Sequence, residues 1–203
     1  MTDQNPPMMF DFYTRFYHAV VSGKANAEYC AKVYGRNLSQ HGFADMDHID
    51  QLIQIGGISD KSMVLDLGCG NGMIAEYISD ITGAHLTGID FIPQAIQYAL
   101  ERTKMKRDRV DFYVMDFLHL NLPPASFDLI ISIDTLYFTD IKETLQGCIP
   151  LLKEDGSIMV FFDQSCGPGT PIEDYPKELT LPDNTELAQA LQQLGFSYQY
   201  WDY

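Results

Sequence analysis

Basic residues are scarce in this chain: 13 lysines and arginines stand against 28 aspartates and glutamates among 203 residues, for a net charge of -15. Charge of that sign repels phosphate backbones and anionic lipid surfaces, so nucleic acid and membranes are poor candidates as partners. Lys104, Lys106, Arg107 and Arg109 form the only basic cluster, and it reads as a solvated helix end and loop. No apolar run approaches the roughly 20 residues that a membrane-spanning helix needs. The opening MTDQNPPMMF lacks the basic and continuously apolar stretches of a secretory signal, so the expected location is cytoplasmic. Cysteine is sparse as well. Cys30, Cys69, Cys148 and Cys166 form no C-x-x-C pair and have no histidine at zinc-finger spacing, which leaves them as reduced, mostly buried thiols. His18, His41, His48, His85 and His119 are scattered, and no metal site is expected.

What is present is the balance of a folded domain, with 46% hydrophobic and 20% charged residues, too apolar for a disordered chain. Its length suits one compact unit able to bury a core without disulfides or metals. Up to residue 61 the pattern is helical: Phe10, Tyr13, Phe16, Tyr17 and Val20 recur at helix spacing, as do Ile49, Leu52 and Ile53. A polar, glycine-containing connection, Tyr34-Gly35-Arg36-Asn37 to His41-Gly42-Phe43, lies between them, and Gly56-Gly57 closes the last helix. Residues 1–61 are therefore read as a helical cap on a core of residues 62–203.

From Ser62 onward strands alternate with helices. Strands are expected at Ser62–Leu67, His85–Ile89, Val110–Met115, Phe127–Ile133 and Ser157–Phe162, with helices at Met73–Ile81, from Pro93, from Asp140 to the Asp155-Gly156 turn, and through Leu187, Leu191 and Leu194. Pro93 stands at a favoured first-turn position, and the almost unbroken apolar run of Phe127–Ile133 suits a strand covered on both faces. This alternation implies an α/β, Rossmann-like, doubly wound and mostly parallel sheet. The aromatic run Phe196–Tyr203 is expected to be a sixth strand. The connection Gly167–Pro182, with four prolines, is read either as a substrate loop or as plain surface.

The most informative stretch is Val64-Leu65-Asp66-Leu67-Gly68-Cys69-Gly70-Asn71-Gly72, an apolar strand entering a glycine-rich turn. Glycines there let the backbone approach a ligand, which binds beyond the carboxyl ends of the strands where their order reverses. Asp90 follows about 20 residues on, as nucleoside binders require for a carboxylate that accepts ribose hydroxyls. Taken alone it also suits a helix cap. A dinucleotide oxidoreductase wants G-x-G-x-x-G, whereas Met73 occupies the third glycine position, and that reading is disfavoured.

The stretch D-L-G-C-G-N-G resembles the first motif of class I S-adenosylmethionine-dependent methyltransferases, and the resemblance runs from about Ser62 to Gly195. It implies that Asp66 anchors the methionine part of S-adenosyl-L-methionine, with Gly68 and Gly70 giving room beside it. Asp90 would bind the ribose, and Phe91 or Ile92 would lie against the adenine. Asp116, with Phe117 beside it, would accept from the adenine amino group. Ile133, in Ser132-Ile133-Asp134, would close over the methionine. Leu151-Leu152-Lys153-Glu154-Asp155-Gly156 stands where the family has a Pro-Gly-Gly turn, a departure outside the cofactor site.

Methyl transfer mainly needs alignment and exclusion of water, and a base only where the acceptor must lose a proton. Asp134 and Tyr137 follow the fourth strand and are expected to border the acceptor pocket, with packing against the cap as the other reading of Tyr137. The cap connection resembles that of small-molecule methyltransferases, where His41 would be a base or an ordinary loop histidine. The Asn/Asp-Pro-Pro-Tyr/Phe motif of nucleobase methylation is absent, so a small-molecule acceptor is expected. A non-catalytic S-adenosylmethionine-binding protein stands as the alternative. Family members usually end with a sixth and a seventh strand, so this chain is expected to be shortened at its C-terminus, or to pair its exposed sheet edge in a homodimer.

Overall fold

The computed structural model describes residues 9–163 and 181–201. Helices α1 (Phe10–Ser22), α2 (Lys24–Val33) and α3 (Met46–Ile55) precede strand β1 (Met63–Leu67). Then follow α4 (Met73–Thr82), β2 (His85–Asp90), α5 (Pro93–Arg102), β3 (Val110–Val114) and β4 (Phe127–Ile133). Helix α6 (Ile141–Cys148), β5 (Leu152–Phe161) and α7 (Glu186–Gln193) complete the described chain. The strands form one five-stranded sheet in the order β3-β2-β1-β4-β5, and every pairing is parallel. Strand order reverses beside β1, so a crevice opens where the ends of β1 and β4 diverge.

The alternation of side chains along β1 and β4 divides the core into two layers. Val64, Leu129 and Ile131 join Ile49 and Leu52 of α3, Ile78 of α4 and Ile96 of α5 on one face. Leu65, Leu67, Phe127 and Ile130 face the other way, onto Cys148 of α6 and Phe117. Helix α3 thus packs with the sheet, although it lies within residues 1–61. Its start is fixed by a capping box: the Asp45 carboxylate accepts from the His48 amide at 3.1 Å, and the Asp45 amide donates to His48 Nδ1 at 3.3 Å. A third cluster joins Ile141 and Leu145 of α6 to Ala190 of α7.

Two expectations need correction. The Asp155-Gly156 turn lies inside β5, where the step from Phe127 to Leu129 matches the step from Leu152 to Ser157. This bulge is tied down by Lys153, which donates to Asp128 Oδ2 at 2.8 Å while the Met63 amide donates to the same oxygen at 2.8 Å. Residues 196–201 form no strand. They turn back along α7 instead, the Phe196 amide donating to Leu191 O at 3.0 Å after Gly195 at φ 76°, and the Tyr198 hydroxyl to Asp183 at 2.7 Å. The connection 167–180 and Cys166 lie outside the described residues, as do residues 202–203 of the expected strand.

Cys30, Cys69 and Cys148 are buried free thiols. The described residues hold no cluster of metal-binding side chains and no helix long and apolar enough to cross a membrane. In the basic cluster, Lys106 pairs with Glu76 and Asp80, Arg109 with Asp80, and Arg107 with Asp111.

Candidate functional site

The site begins at the turn from β1 into α4. Gly68 and Gly70 have φ of 75° and 55°, a region costly to side chains bearing a Cβ. Space is a second constraint, because a Cβ on Gly68 would overlap the Thr135 side chain and one on Gly70 the Tyr17 hydroxyl. The amides of Gly68 and Cys69 both donate to Ile89 O, at 2.8 and 2.9 Å, which pins the turn to the end of β2. There the Asp90 carboxylate accepts from the Gly70 amide through Oδ2 at 2.9 Å and from the Ile92 amide through Oδ1 at 2.8 Å. One carboxylate therefore braces the glycine turn against the start of α5. Each of its oxygens keeps a second lone pair for a ligand.

Burial raises the Asp90 carboxyl above its ordinary range, against the pull of those two amides. Asp66 is buried more completely, and desolvation, then the Asp90 charge, pushes its carboxyl up to about 7. Asp66 lies behind the cavity wall. The wall itself is formed by Gly68, Gly70, Asp90, Phe91, Asp116, Phe117, Ile133 and Asp134 from the sheet side, and by His41 from the cap connection. Asp116 is held by the Leu118 amide at 3.1 Å and faces His119 Nδ1 at 3.1 Å.

Asp134 has φ 54°, an unusual angle for a residue with a side chain. Its Oδ2 accepts from the amides of Phe43 at 2.8 Å and Ala44 at 2.9 Å, and its Oδ1 from the Tyr137 hydroxyl at 3.1 Å. Tyr137 does not line the cavity. Its ring lies 4.7 Å from that of Phe162, its hydroxyl accepts from the Asp163 amide at 2.5 Å, and burial pushes its ionisation far above the ordinary value. Phe138, one residue on, lines the cavity and meets Tyr13 of α1 edge-on at 5.7 Å.

Helix α1 roofs the cavity. Phe10 meets Phe91 edge-on at 5.4 Å, Tyr13 and Phe16 flank the His41 imidazole at 5.8 and 4.3 Å, and Tyr17 reaches Gly70. Burial lowers the His41 pKa from 6.5, so the imidazole is neutral at pH 7 and able to take a proton. Beside it, Ser39 at φ 60° and Gln40 line the cavity, 8% and 7% exposed. Ser39 Oγ and Gln40 Nε2, both closed off from water, have no hydrogen-bond partner among the described residues. Leaving a buried donor unpaired costs about 1–3 kcal/mol, so the path of this loop, with Ser39 at a positive φ, is held at a local cost.

Periodicity identified α1 as a helix, but the role of Phe10, Tyr13 and Tyr17 over the site was missed. The signal available was a helix whose aromatic residues outnumber what a surface face uses. Ser39 and Gln40 carried no signal in sequence, because their burial depends on the loop's path.

Residues 58–180 match the model of a family described as "Methyltransferase domain". Among curated proteins, phosphoethanolamine N-methyltransferase 1 of Zea mays is 33% identical over 141 residues, covering 66% of this chain and 28% of that protein. A ubiquinone biosynthesis O-methyltransferase of Xylella fastidiosa is 31% identical over 117 residues, covering 57% of this chain and 46% of that protein. The chain spans between 28% and 34% of the length of the plant phosphoethanolamine N-methyltransferases that it matches. Among solved structures, a SAM-dependent methyltransferase from Aquifex aeolicus aligns with a TM-score of 0.58 at 20% identity, over 72% of this chain and 78% of that one. The Haemonchus contortus phosphoethanolamine N-methyltransferase 2 aligns with a TM-score of 0.59 at 21% identity, over 73% of this chain and 35% of that one. At such identities the likeness is one of fold.

Proposed function

Because the chain belongs to the methyltransferase-domain family, we propose that it binds S-adenosyl-L-methionine at the β1–β4 crevice and transfers the methyl group to a small molecule. The observation that carries this reading is the brace between Asp90 and the glycine turn. The residues present fit such a ligand: Gly68 and Gly70 leave a cradle that a Cβ would fill, and a buried carboxylate stands on each side of it. Asp90 would receive the ribose hydroxyls, Phe91 and Phe117 would hold the adenine between them, and Asp116 would accept from its amino group. Asp66 would face the α-ammonium through water.

Held by these residues, S-adenosylmethionine would supply a sulfonium-activated methyl group for an acceptor lone pair, with sulfur keeping the electrons of the broken carbon–sulfur bond. The chain's own contribution is to align the acceptor and exclude water, which α1 and the cap connection do by roofing the cavity. His41, neutral at pH 7, is placed to take a proton where the acceptor must lose one. Asp134 is committed to the cap connection and acts by positioning. The relatives named above methylate nitrogen in one case and oxygen in the other, and a cap-bounded cavity supports a small acceptor over a polymer. The net charge of -15 and the ion-paired state of the basic cluster argue against nucleic acid and anionic membranes.

Thermal-shift measurements test cofactor choice, since a ligand that binds only the native state raises the midpoint. S-adenosylhomocysteine is expected to stabilise the protein and NADH not to. Stabilisation by NADH alone would overturn the reading. Binding without any S-adenosylhomocysteine production across amine, hydroxyl and thiol acceptors would leave a non-catalytic binding protein. Strand β5 pairs on one side only among the described residues, and homodimer formation through that edge is checked by light scattering.

A further inference from the structure

Helix α1 brings two tyrosines to the cavity, Tyr13 and Tyr17, one helical turn apart with ring centroids 6.2 Å from each other. Tyr17 sits the deeper of the two. Its hydroxyl is the atom that a Cβ on Gly70 would meet first, which places it on the glycine turn itself. Among the described residues no group shares a hydrogen bond with this hydroxyl, and, unlike Ser39 Oγ and Gln40 Nε2, it is not sealed off from water. A hydroxyl elsewhere on the same helix is satisfied within the chain: Thr14, which does not line the cavity, donates to Phe10 O at 2.8 Å. Burial, then the Asp90 charge, with Cys69, Tyr13 and Asp66 adding to it, raises the ionisation of Tyr17 well above its ordinary value. The phenol therefore stays protonated at pH 7 and keeps a proton to donate. Both carboxylates are near enough to act on it electrostatically, yet neither accepts from it. A donor left open beside the turn that carries no side chain suits an oxygen brought by a ligand.

We infer that Tyr17 is a cofactor-binding residue whose hydroxyl donates to an oxygen of bound S-adenosylmethionine, so that α1 supplies part of the cofactor site. Its place near both Asp90 and Asp66 admits two oxygens of that one molecule, a ribose hydroxyl and the methionine carboxylate, and both accept from the same donor. Tyr17 lies outside residues 58–180, which the family model covers, so the family match does not assign it. The inference rests on the methyltransferase reading, and the wild-type chain and its variants are therefore measured separately.

Calorimetric titration with S-adenosylhomocysteine tests this on the wild-type chain, Tyr17→Phe and Thr14→Ala, with thermal midpoints of the empty proteins measured alongside. Tyr17→Phe removes only a hydroxyl that has no partner in the empty protein, so its midpoint is expected to match or exceed that of the wild type. Its affinity for S-adenosylhomocysteine is expected to fall about fivefold or more, the loss of one hydrogen bond. Thr14→Ala takes a hydroxyl from the same helix away from the cavity and is expected to keep wild-type affinity within about twofold. S-adenosylmethionine and its decarboxylated form then separate the two oxygens. A loss in Tyr17→Phe that persists with the decarboxylated form places the hydroxyl on the ribose, and one that vanishes places it on the carboxylate; either supports the inference. Unchanged S-adenosylhomocysteine affinity in Tyr17→Phe would overturn it, and so would a gain, which would make the hydroxyl an obstacle in the site. Equal losses in Tyr17→Phe and Thr14→Ala would overturn it too, by tracing the effect to the seating of α1 rather than to the hydroxyl. No S-adenosylhomocysteine binding by the wild-type chain would remove the methyltransferase reading, and the inference with it.

Discussion

Gly42 leaves the space that the Asp134 carboxylate fills: a Cβ on Gly42 would overlap that carboxylate, whose Oδ2 takes the amides of Phe43 and Ala44 at 2.8 and 2.9 Å. A residue just past β4 thus clasps the loop that carries His41 and Gln40, joining parts of the chain 90 positions apart. Gly42→Ala is expected to break this clasp and lower the thermal midpoint. Asp134→Ala, which strands two amides, is expected to cost about 1–3 kcal/mol in urea unfolding. Asp134→Gly, free of strain at φ 54°, is expected to cost less than Asp134→Ala. Equal stability of Asp134→Ala and wild type would show that the clasp contributes nothing.

Asp66 is expected to make cofactor binding depend on pH. Its folded carboxyl sits at about 7 against 3.8 for an ordinary aspartate, so the empty protein loses stability as pH rises from about 4 through 7. An α-ammonium nearby draws that pKa down. At pH 6, titration with S-adenosylhomocysteine is expected to release up to about one proton, read from calorimetry in buffers of different ionisation enthalpy. Asp66→Asn is expected to abolish the release. A proton count of zero for the wild-type chain at pH 6 would show that the ammonium does not reach the neighbourhood of Asp66.

Asp90 braces the glycine turn, and substitution separates that duty from the ligand-binding one proposed for it. Asp90→Asn keeps one acceptor oxygen but loses the charge, and S-adenosylhomocysteine affinity is expected to fall tenfold or more, because hydrogen bonds to ionised groups are worth roughly 1.5–3 kcal/mol. Asp90→Ala is expected to lower the thermal midpoint of the empty protein as well, since the amides of Gly70 and Ile92 lose their acceptor. Unchanged affinity in Asp90→Asn would contradict the ribose role.

Tyr137 and Phe138 are neighbours with opposite expectations. Tyr137→Phe, which alters a side chain outside the cavity, is expected to change kcat/KM less than about threefold while destabilising the chain by about 0.5–1.5 kcal/mol. Phe138→Ala opens the cavity wall and is expected to raise KM for the acceptor severalfold. The reverse ranking would return Tyr137 to the acceptor pocket.

A base at His41 predicts its own pH signature. Burial lowers its pKa from 6.5, so the acidic limb of kcat/KM is expected below pH 6.5 for an acceptor that must lose a proton. His41→Gln is expected to flatten that limb. A limb that persists in the variant belongs to another group.

Much of the fold was legible because strand and helix periods differ and because the buried runs are long. β4 runs from Phe127 to Ile133 as its apolar pattern predicts, and Pro93 opens α5. The sequence failed where one local pattern has two solutions. Phe196–Trp201 has the aromatic content of a strand, yet Gly195 and the Tyr198–Asp183 bond turn it back along α7. The Asp155-Gly156 pair has turn chemistry, but the Lys153–Asp128 bond absorbs it as a bulge. At the site, residues at strand ends were readable from spacing because the sheet fixes where strand ends meet. Tyr137 was not, since a 3-10 turn at Leu136–Phe138 decides which of two adjacent aromatics faces inward.

The docking of α1 has a consequence for traffic through the site. Phe10 rests on Phe91 and Tyr17 on Gly70, so a nucleoside seated below would be covered on one side by a segment that precedes the whole sheet in the chain. A ligand that touches α1 is then expected to hold that helix down. Protease cleavage between α1 and α2 is expected to be slower with S-adenosylhomocysteine than without it, and an equal rate would show that the ligand leaves α1 free.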